Sequence, residues 1–204
     1  MNIQVVVFDI GGVLVDWNPR HLYRKILKND SETIEYFLAN ICNFEWNDHM
    51  DAGRSFSEGV AMLKNKYPEY AELVEAYDKR WEEMLGDANW ETVKILKQLK
   101  RNKMPVYALS NWSAEKFPIA QRRYDFFSLF DDMMVSGFVG VKKPNLEIFR
   151  LFLDTYNFEA NNIVFIDDQI ANIEAAKKMG MNTIHFLNAQ QLGKSLHNLG
   201  VMTA

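Results

Sequence analysis

Four stretches of this chain are predominantly apolar, residues 3–8, 105–109, 163–166 and 183–187, and a weaker one covers residues 133–136. A strand with one wet face alternates apolar and polar positions, whereas a strand of a parallel sheet covered on both faces reads as an unbroken apolar run. Between the runs lie patterns of helical period over residues 89–100, 114–124, 145–156 and 172–179, the last stopped by Gly180. Strand and helix alternate, which predicts a doubly wound α/β fold around a parallel sheet. Residues 18–87 break the rhythm with amphipathic helical segments rich in aromatics and charge and no convincing strand. An all-helical insertion directly after the first strand stands over the carboxyl ends of the strands. The expected organisation is therefore a core of residues 1–17 and 88–204 with a cap of residues 18–87.

Composition narrows this picture by exclusion. The 204 residues suffice for one sizeable core plus a small insertion. Hydrophobic residues at 48% and charged residues at 25% are those of an ordinary globular protein. A net charge of -4 without long like-charge runs leaves no footprint for nucleic acid or an acidic membrane surface. Cys42 stands alone, so an internal disulfide and a thiolate metal site are excluded. There is no basic leader and no apolar run of about 18 residues, so the cytoplasm is the expected compartment. The sequence assigns no oligomeric state.

Candidate chemistry sits at the ends of the apolar runs. Asp9 follows the first run and is itself followed by Gly11 and Gly12; Ser110 and Asn111 follow the second; Asp167 and Asp168 follow the third; Lys143 and Pro144 precede a helix. Alone, such residues are often caps or turns. A doubly wound sheet gathers its strand ends into one crevice, however far apart they lie in sequence. Three carboxylates, one lysine and one hydroxyl would repel a phosphate unless a hard cation intervened, and Mg²⁺ with its oxygen ligands meets that need. Asp9 can then attack phosphorus and form an aspartyl phosphate that water hydrolyses, while Ser110 and nearby amides hold the oxygens of the transition state.

These residues resemble the haloacid dehalogenase superfamily over nearly the whole chain. Phe8-Asp9-Ile10-Gly11-Gly12-Val13-Leu14 is similar to its first motif and Leu109-Ser110-Asn111 to its second. Lys143-Pro144 with Ile148-Phe149 is similar to the third, and Phe165-Ile166-Asp167-Asp168 with Asn172 to the fourth. The resemblance implies a nucleophile at Asp9, with Ser110 and Lys143 on the transferring group. It implies Mg²⁺ on Asp9, Asp168 and the Gly11 carbonyl, with Asp167 bound to the metal or just behind it. Asn172 is expected to orient Asp168 or Lys143, and Asn111, Gly12, Trp17 and Trp112 to meet the substrate. In detail the chain looks most like small bacterial sugar phosphatases of the glucose-1-phosphate phosphatase type, which share a glycine at the Gly11 position but carry asparagine where this chain has Gly12. The dehalogenases usually place an aromatic residue at the Gly11 position, need no metal and lack paired acids like Asp167-Asp168.

Most phosphatases of the superfamily carry a second aspartate two places after the nucleophile, where it protonates the leaving alcohol. Gly11 cannot, and such a group is worth about 10² to 10⁴ in rate. The anomeric oxygen of a sugar 1-phosphate is one leaving group that needs less help. The expected function is thus a Mg²⁺-dependent phosphatase acting on a small phosphorylated metabolite such as a sugar phosphate. A non-catalytic phosphate-binding or regulatory protein is the alternative, and a 2-haloacid dehalogenase comes third. Asp16, His21, Glu45 and His49 are the candidates for a substitute acid, Lys142 reads as a surface charge, and His185 and His197 fall away from the site.

Overall fold

In a computed structural model, which describes residues 2–202, the sheet is built from five of the seven strands. β1 (Val5–Phe8) is three valines and a phenylalanine, β-branched and aromatic residues that pack well on a pleated surface. It is followed by the short β2 (Val15–Trp17) and then by helices α1 (Arg20–Ile26), α2 (Ser31–Asn40), α3 (Phe44–Asp51), α4 (Phe56–Lys66) and α5 (Ala71–Lys79). β3 (Leu85–Ala88) closes that segment, and α6 (Trp90–Arg101), β4 (Val106–Ser110), α7 (Phe117–Arg123), β5 (Asp132–Val135) and α8 (Ser136–Val139) come next. α9 (Leu146–Tyr156), β6 (Ile163–Asp167), α10 (Ile170–Lys178), β7 (Asn182–His185) and α11 (Ala189–Asn198) complete the chain.

The main sheet runs β5-β4-β1-β6-β7 with every pairing parallel. Chain order reverses on either side of β1, so its carboxyl end is the switch point where such sheets open a crevice. Register decides what meets there. Phe8 lies beside Ala108 and Ile166, so Asp9 falls level with Leu109 and Asp167, and Ser110 comes one residue further along β4. Alternate residues of β1 enter different cores: Val6 and Phe8 pack with Leu96 and Leu192, Val5 and Val7 with Phe149, Phe152 and Ile173. All five predicted strands form. α11 was not predicted; Leu192 and Leu196, four apart and fully buried, hold it on the sheet, and the Asn188 side chain caps it.

The helical insertion is joined to the core by an antiparallel ribbon of β2 and β3, so residues 85–87, read as part of the insertion, are strand. Leu-Gly-Asp-Ala looks like a turn, and only its distant partner Val15–Trp17 makes it extended. Aromatic side chains fill the insertion, with Trp46 set edge-on to Tyr77 at 5.0 Å. Polar contacts seat it on the core: Lys142 Nζ bonds Asp48 at 2.8 Å, Lys116 pairs with Asp78, and Tyr124 donates to the Gly86 carbonyl at 2.8 Å. Lys142 is thus a tie to the insertion rather than a free surface charge. No helix among the described residues is long and apolar enough to cross a membrane.

A further tie is Ser136, which is fully buried. Its hydroxyl donates to the Asp51 carbonyl at 2.6 Å and accepts the Trp112 amide at 3.0 Å, linking α3 to the loop after β4. Ser136→Ala strands that buried amide and is expected to cost about 1–3 kcal/mol. For a chain of this size that is a Tm lower by roughly 2–12 °C in a thermal melt.

Candidate active site

Lys143 is the hub of the site, behind the wall of the crevice that Asp9 lines. Its side chain is fully buried, and its ammonium donates to the Leu109 carbonyl at 2.7 Å and Asp167 Oδ2 at 2.7 Å, and lies 3.1 Å from Asp9 Oδ1. Asn111 holds the lysine backbone from both sides, donating to its carbonyl at 2.9 Å and accepting its amide at 2.8 Å. Expected as a substrate contact, Asn111 therefore spends both ends of its amide on positioning Lys143, although it still lines the cleft. Burial works against the lysine's charge, but Asp167 and Asp9 outweigh it and its pKa is raised.

Asp167 and Asp168, adjacent in sequence, have separate tasks. Asp167 is fully buried and accepts from Lys143, from the Gln169 amide at 2.8 Å and, on both oxygens, from Asn172 Nδ2 at 3.0 Å. Asn172 thus orients Asp167 rather than Asp168 or Lys143 directly. Asp168 turns to the cleft and takes one side-chain bond, from Gln169 Nε2 at 2.8 Å. Its carbonyl meets His185 Nε2 at 3.0 Å, so His185 supports the site from β7, although the sequence set it apart.

Asp9 Oδ1 takes the Ile10 amide at 2.7 Å as well as Lys143. Burial raises the Asp9 carboxyl; Lys143 opposes this and Asp167 and Asp168 add to it, and the result is about 7. One lysine does not neutralise three acids. Asp9, Asp167 and Asp168 each offer an oxygen within 4.8 Å of the others, so the donor set and its uncancelled charge fit a hard cation such as Mg²⁺. The two glycines differ sharply. At Gly12, φ is +75° and an added Cβ would stand 2.6 Å from Asp168 Oδ2, whereas a Cβ on Gly11 would meet nothing within 4 Å. Gly12 is glycine because Asp168 occupies its side-chain space.

Ser110 Oγ is fully buried at the end of β4 and, among the described residues, has no hydrogen-bond partner. A buried hydroxyl left over in this way is a vacant donor for an anion. The cleft has a volume of about 530 Å³ and a smaller chamber of about 60 Å³ opens beside it. Trp17 lines both, and Trp112 lines the chamber against Trp81, with ring centroids 5.8 Å apart. Asp16, His21, Glu45 and His49 line neither cavity.

A family model for haloacid dehalogenase-like hydrolases matches residues 3–180. The chain belongs to that family. Drimenol cyclase drtB of Aspergillus calidoustus is 24% identical over 200 residues, but the chain spans only 36% of that longer protein. Sesquiterpene phosphatase astK of Aspergillus oryzae is 25% identical over 91% of each chain. The phosphorylated carbohydrates phosphatase of Thermotoga maritima is 24% identical over 98% of this chain and 93% of its own. A HAD-like hydrolase structure from Porphyromonas gingivalis shares the fold over the full length of both chains, with a TM-score of 0.74 at 21% identity.

Gly12→Ala pushes Asp168 out of place and is expected to weaken Mg²⁺ binding about 10- to 100-fold by calorimetry, while Gly11→Ala leaves it nearly unchanged. A second expectation follows from the Asp9 carboxyl, raised from 3.8 to about 7. A raised acid contributes stability that is full below its unfolded value and lost as pH rises through its folded value. In EDTA, Asp9→Asn therefore melts above wild type at pH 7.5, and the gap closes toward pH 4. Saturating Mg²⁺ at pH 7.5 raises the Tm of wild type and not of the variant.

Proposed function

We propose that this hydrolase is a Mg²⁺-dependent phosphomonoesterase that works through an aspartyl phosphate on Asp9, with small sugar phosphates as its substrate class. One observation carries the reading: a fully buried lysine joins the nucleophile candidate to Asp167, and a buried serine hydroxyl without a partner ends the strand paired with β1. Phosphatase activity named for two relatives that match across nine-tenths or more of both chains supports it. The cleft volume suits a small metabolite.

Asp9 Oδ1 is tied to Ile10 and Lys143, which leaves Oδ2 as the oxygen to attack phosphorus. Lys143 keeps Asp9 in place and offsets negative charge, and Ser110 Oγ donates to an oxygen of the transferring group as charge builds on it. Mg²⁺ on Asp9, Asp168 and the Gly11 carbonyl would neutralise the ester's charge and hold one of its oxygens. Arg20, Asn43, Phe44 and Asn47 line the cleft from the helical insertion, which we infer to be a cap that selects the leaving group.

Gly11 is the ground for the alternative, a phosphate-binding protein without turnover. The intact Lys143 network speaks against it, since a decayed site has no reason to keep a buried ammonium satisfied. Paired acids beside the nucleophile speak against haloacid chemistry, which needs no cation. The test is a panel of phosphate esters and 2-haloacids with Mg²⁺. Wild type is expected to release phosphate, Asp9→Asn to lose at least about 10³-fold, and Ser110→Ala about 10²-fold. Phosphate binding without turnover of any ester would favour the alternative, and halide release would replace both.

A further inference from the structure

We propose that Asp51, carried on the helical insertion, donates the proton to the leaving oxygen in place of the side chain that Gly11 lacks. The inference rests on the phosphatase reading above. Its starting point is a space. Apart from its own backbone and its two chain neighbours, no atom stands within 4 Å of where a Gly11 Cβ would be, and Gly11, Asn111 and Asp51 line both the cleft and its side chamber. The region that a second aspartate would occupy is therefore open, and an acid from another element borders it.

Elimination leads to the same residue. The carboxylates lining the cleft are Asp9, Asp168, Asp48 and Asp51. Asp9 is the nucleophile and Asp168 the metal ligand of the proposed mechanism. Asp48 is taken up by Lys142, whose Nζ donates to it at 2.8 Å. Asp51 alone is left without a cation of its own, and its site suits the protonated form. It is the last residue of α3, where the helix dipole disfavours a negative charge. Burial first and Asp48 next push its carboxyl up, Lys142 and the Ser113 amide pull it back, and it stands at about 7. Tyr77, the other titratable neighbour, is raised well above its ordinary value and remains a hydroxyl. That hydroxyl donates to Asn47 Oδ1 at 3.1 Å, which fixes the amide so that Nδ2 donates to Asp51 Oδ2 at 3.0 Å. The acid is thus aimed by a chain running from α5 through α3.

In the step, the P–O bond to the leaving group breaks as the Asp9 O–P bond forms, and the Asp51 proton passes to the departing oxygen. Asp51 is left as a carboxylate. It then takes a proton from the water that attacks the aspartyl phosphate, which releases phosphate, frees Asp9 and restores the acid. With a proton available, the substrate need not be limited to easy leaving groups, and ordinary alkyl phosphates come within reach.

The test compares kcat/KM for glucose 6-phosphate, whose alkoxide needs a proton, with p-nitrophenyl phosphate, whose phenolate leaves without one. Asp51→Asn is expected to lose about 10²-fold on the sugar ester and at least about tenfold less on the aryl ester, while Asp51→Glu keeps more activity on the sugar ester than Asp51→Asn. Gly11→Asp, built into Asp51→Asn, is expected to recover at least about tenfold on the sugar ester, because the open space accepts it. Equal losses on both esters, with no rescue by Gly11→Asp, overturn the role of Asp51 while the phosphatase reading stands. If wild type cleaves neither ester nor any other of the panel, the phosphatase reading fails first. Should Asp51→Asn melt below assay temperature, the Gly11→Asp single variant decides. A second acid near Gly11 makes an existing one redundant, so a gain of about tenfold or more on the sugar ester overturns the proposal and a smaller change supports it.

Discussion

A buried ammonium is the constraint on which the site depends. Lys143 has no water to turn to, so each of its protons must find an oxygen, and Leu109, Asp167 and Asp9 supply them from the ends of three different segments. Removing Asp167, the nearer of its two carboxylates, would leave a buried charge without its main compensation, which costs far more than a surface ion pair contributes. The network therefore fixes the spacing of β1, β4 and β6 at their carboxyl ends as firmly as the apolar core does below them. It also explains the surplus of negative charge. Asp167 is consumed in holding the lysine, and Asp9 and Asp168 remain free to face a cation; burial first, and the two neighbouring acids next, push the Asp9 carboxyl to about 7.

Two adjacent glycines serve that arrangement for opposite reasons. Gly12 is needed because Asp168 already fills the position of its side chain and because its φ is positive. Gly11 is needed by nothing around it, since the space before it is free. A residue compelled by packing speaks of structure, and a residue left small against an open cavity speaks of what the cavity must admit. On the proposed reading, Gly11 leaves room for substrate and a group from elsewhere to meet.

The order of strands and the residues at their ends were legible because both are local: an apolar run announces a buried strand, and Asp9, Ser110 and Asp167 follow such runs directly. The β2–β3 ribbon was not, because Leu85–Ala88 is extended only through pairing with Val15–Trp17, some seventy residues away. The tasks of Asn111 and Asn172 were hidden for a similar reason. Their amides bond to Lys143 and Asp167, and a sequence names the donor without naming the acceptor. His185 looked inert inside a strand, yet the register of β7 on β6 sets it against the Asp168 carbonyl. Asp51 carries no local signal at all. It ends an ordinary amphipathic helix, and only the seating of that helix against α8 brings it to the cavities that Gly11 lines.

An acid on the insertion changes what closure means. Where the proton donor sits two places after the nucleophile, the core is chemically complete by itself and a cap serves to choose substrate and exclude water. In the mechanism proposed here the core holds the nucleophile, the lysine, the serine and the metal ligands, and the proton comes from above. Transfer then requires the insertion to be seated, and what seats it is concentrated around the acid: Ser136 holds the Asp51 carbonyl, the same hydroxyl holds the Trp112 amide beside Ser110, and Lys142 grips Asp48 one turn back. Lys142 precedes Lys143 in the chain, so the segment that fixes the nucleophile's partner also fixes the helix that carries the acid. A displaced insertion loses the proton donor and the shelter of the cleft together, which confines cleavage of an ester to the state in which both halves of the molecule surround it.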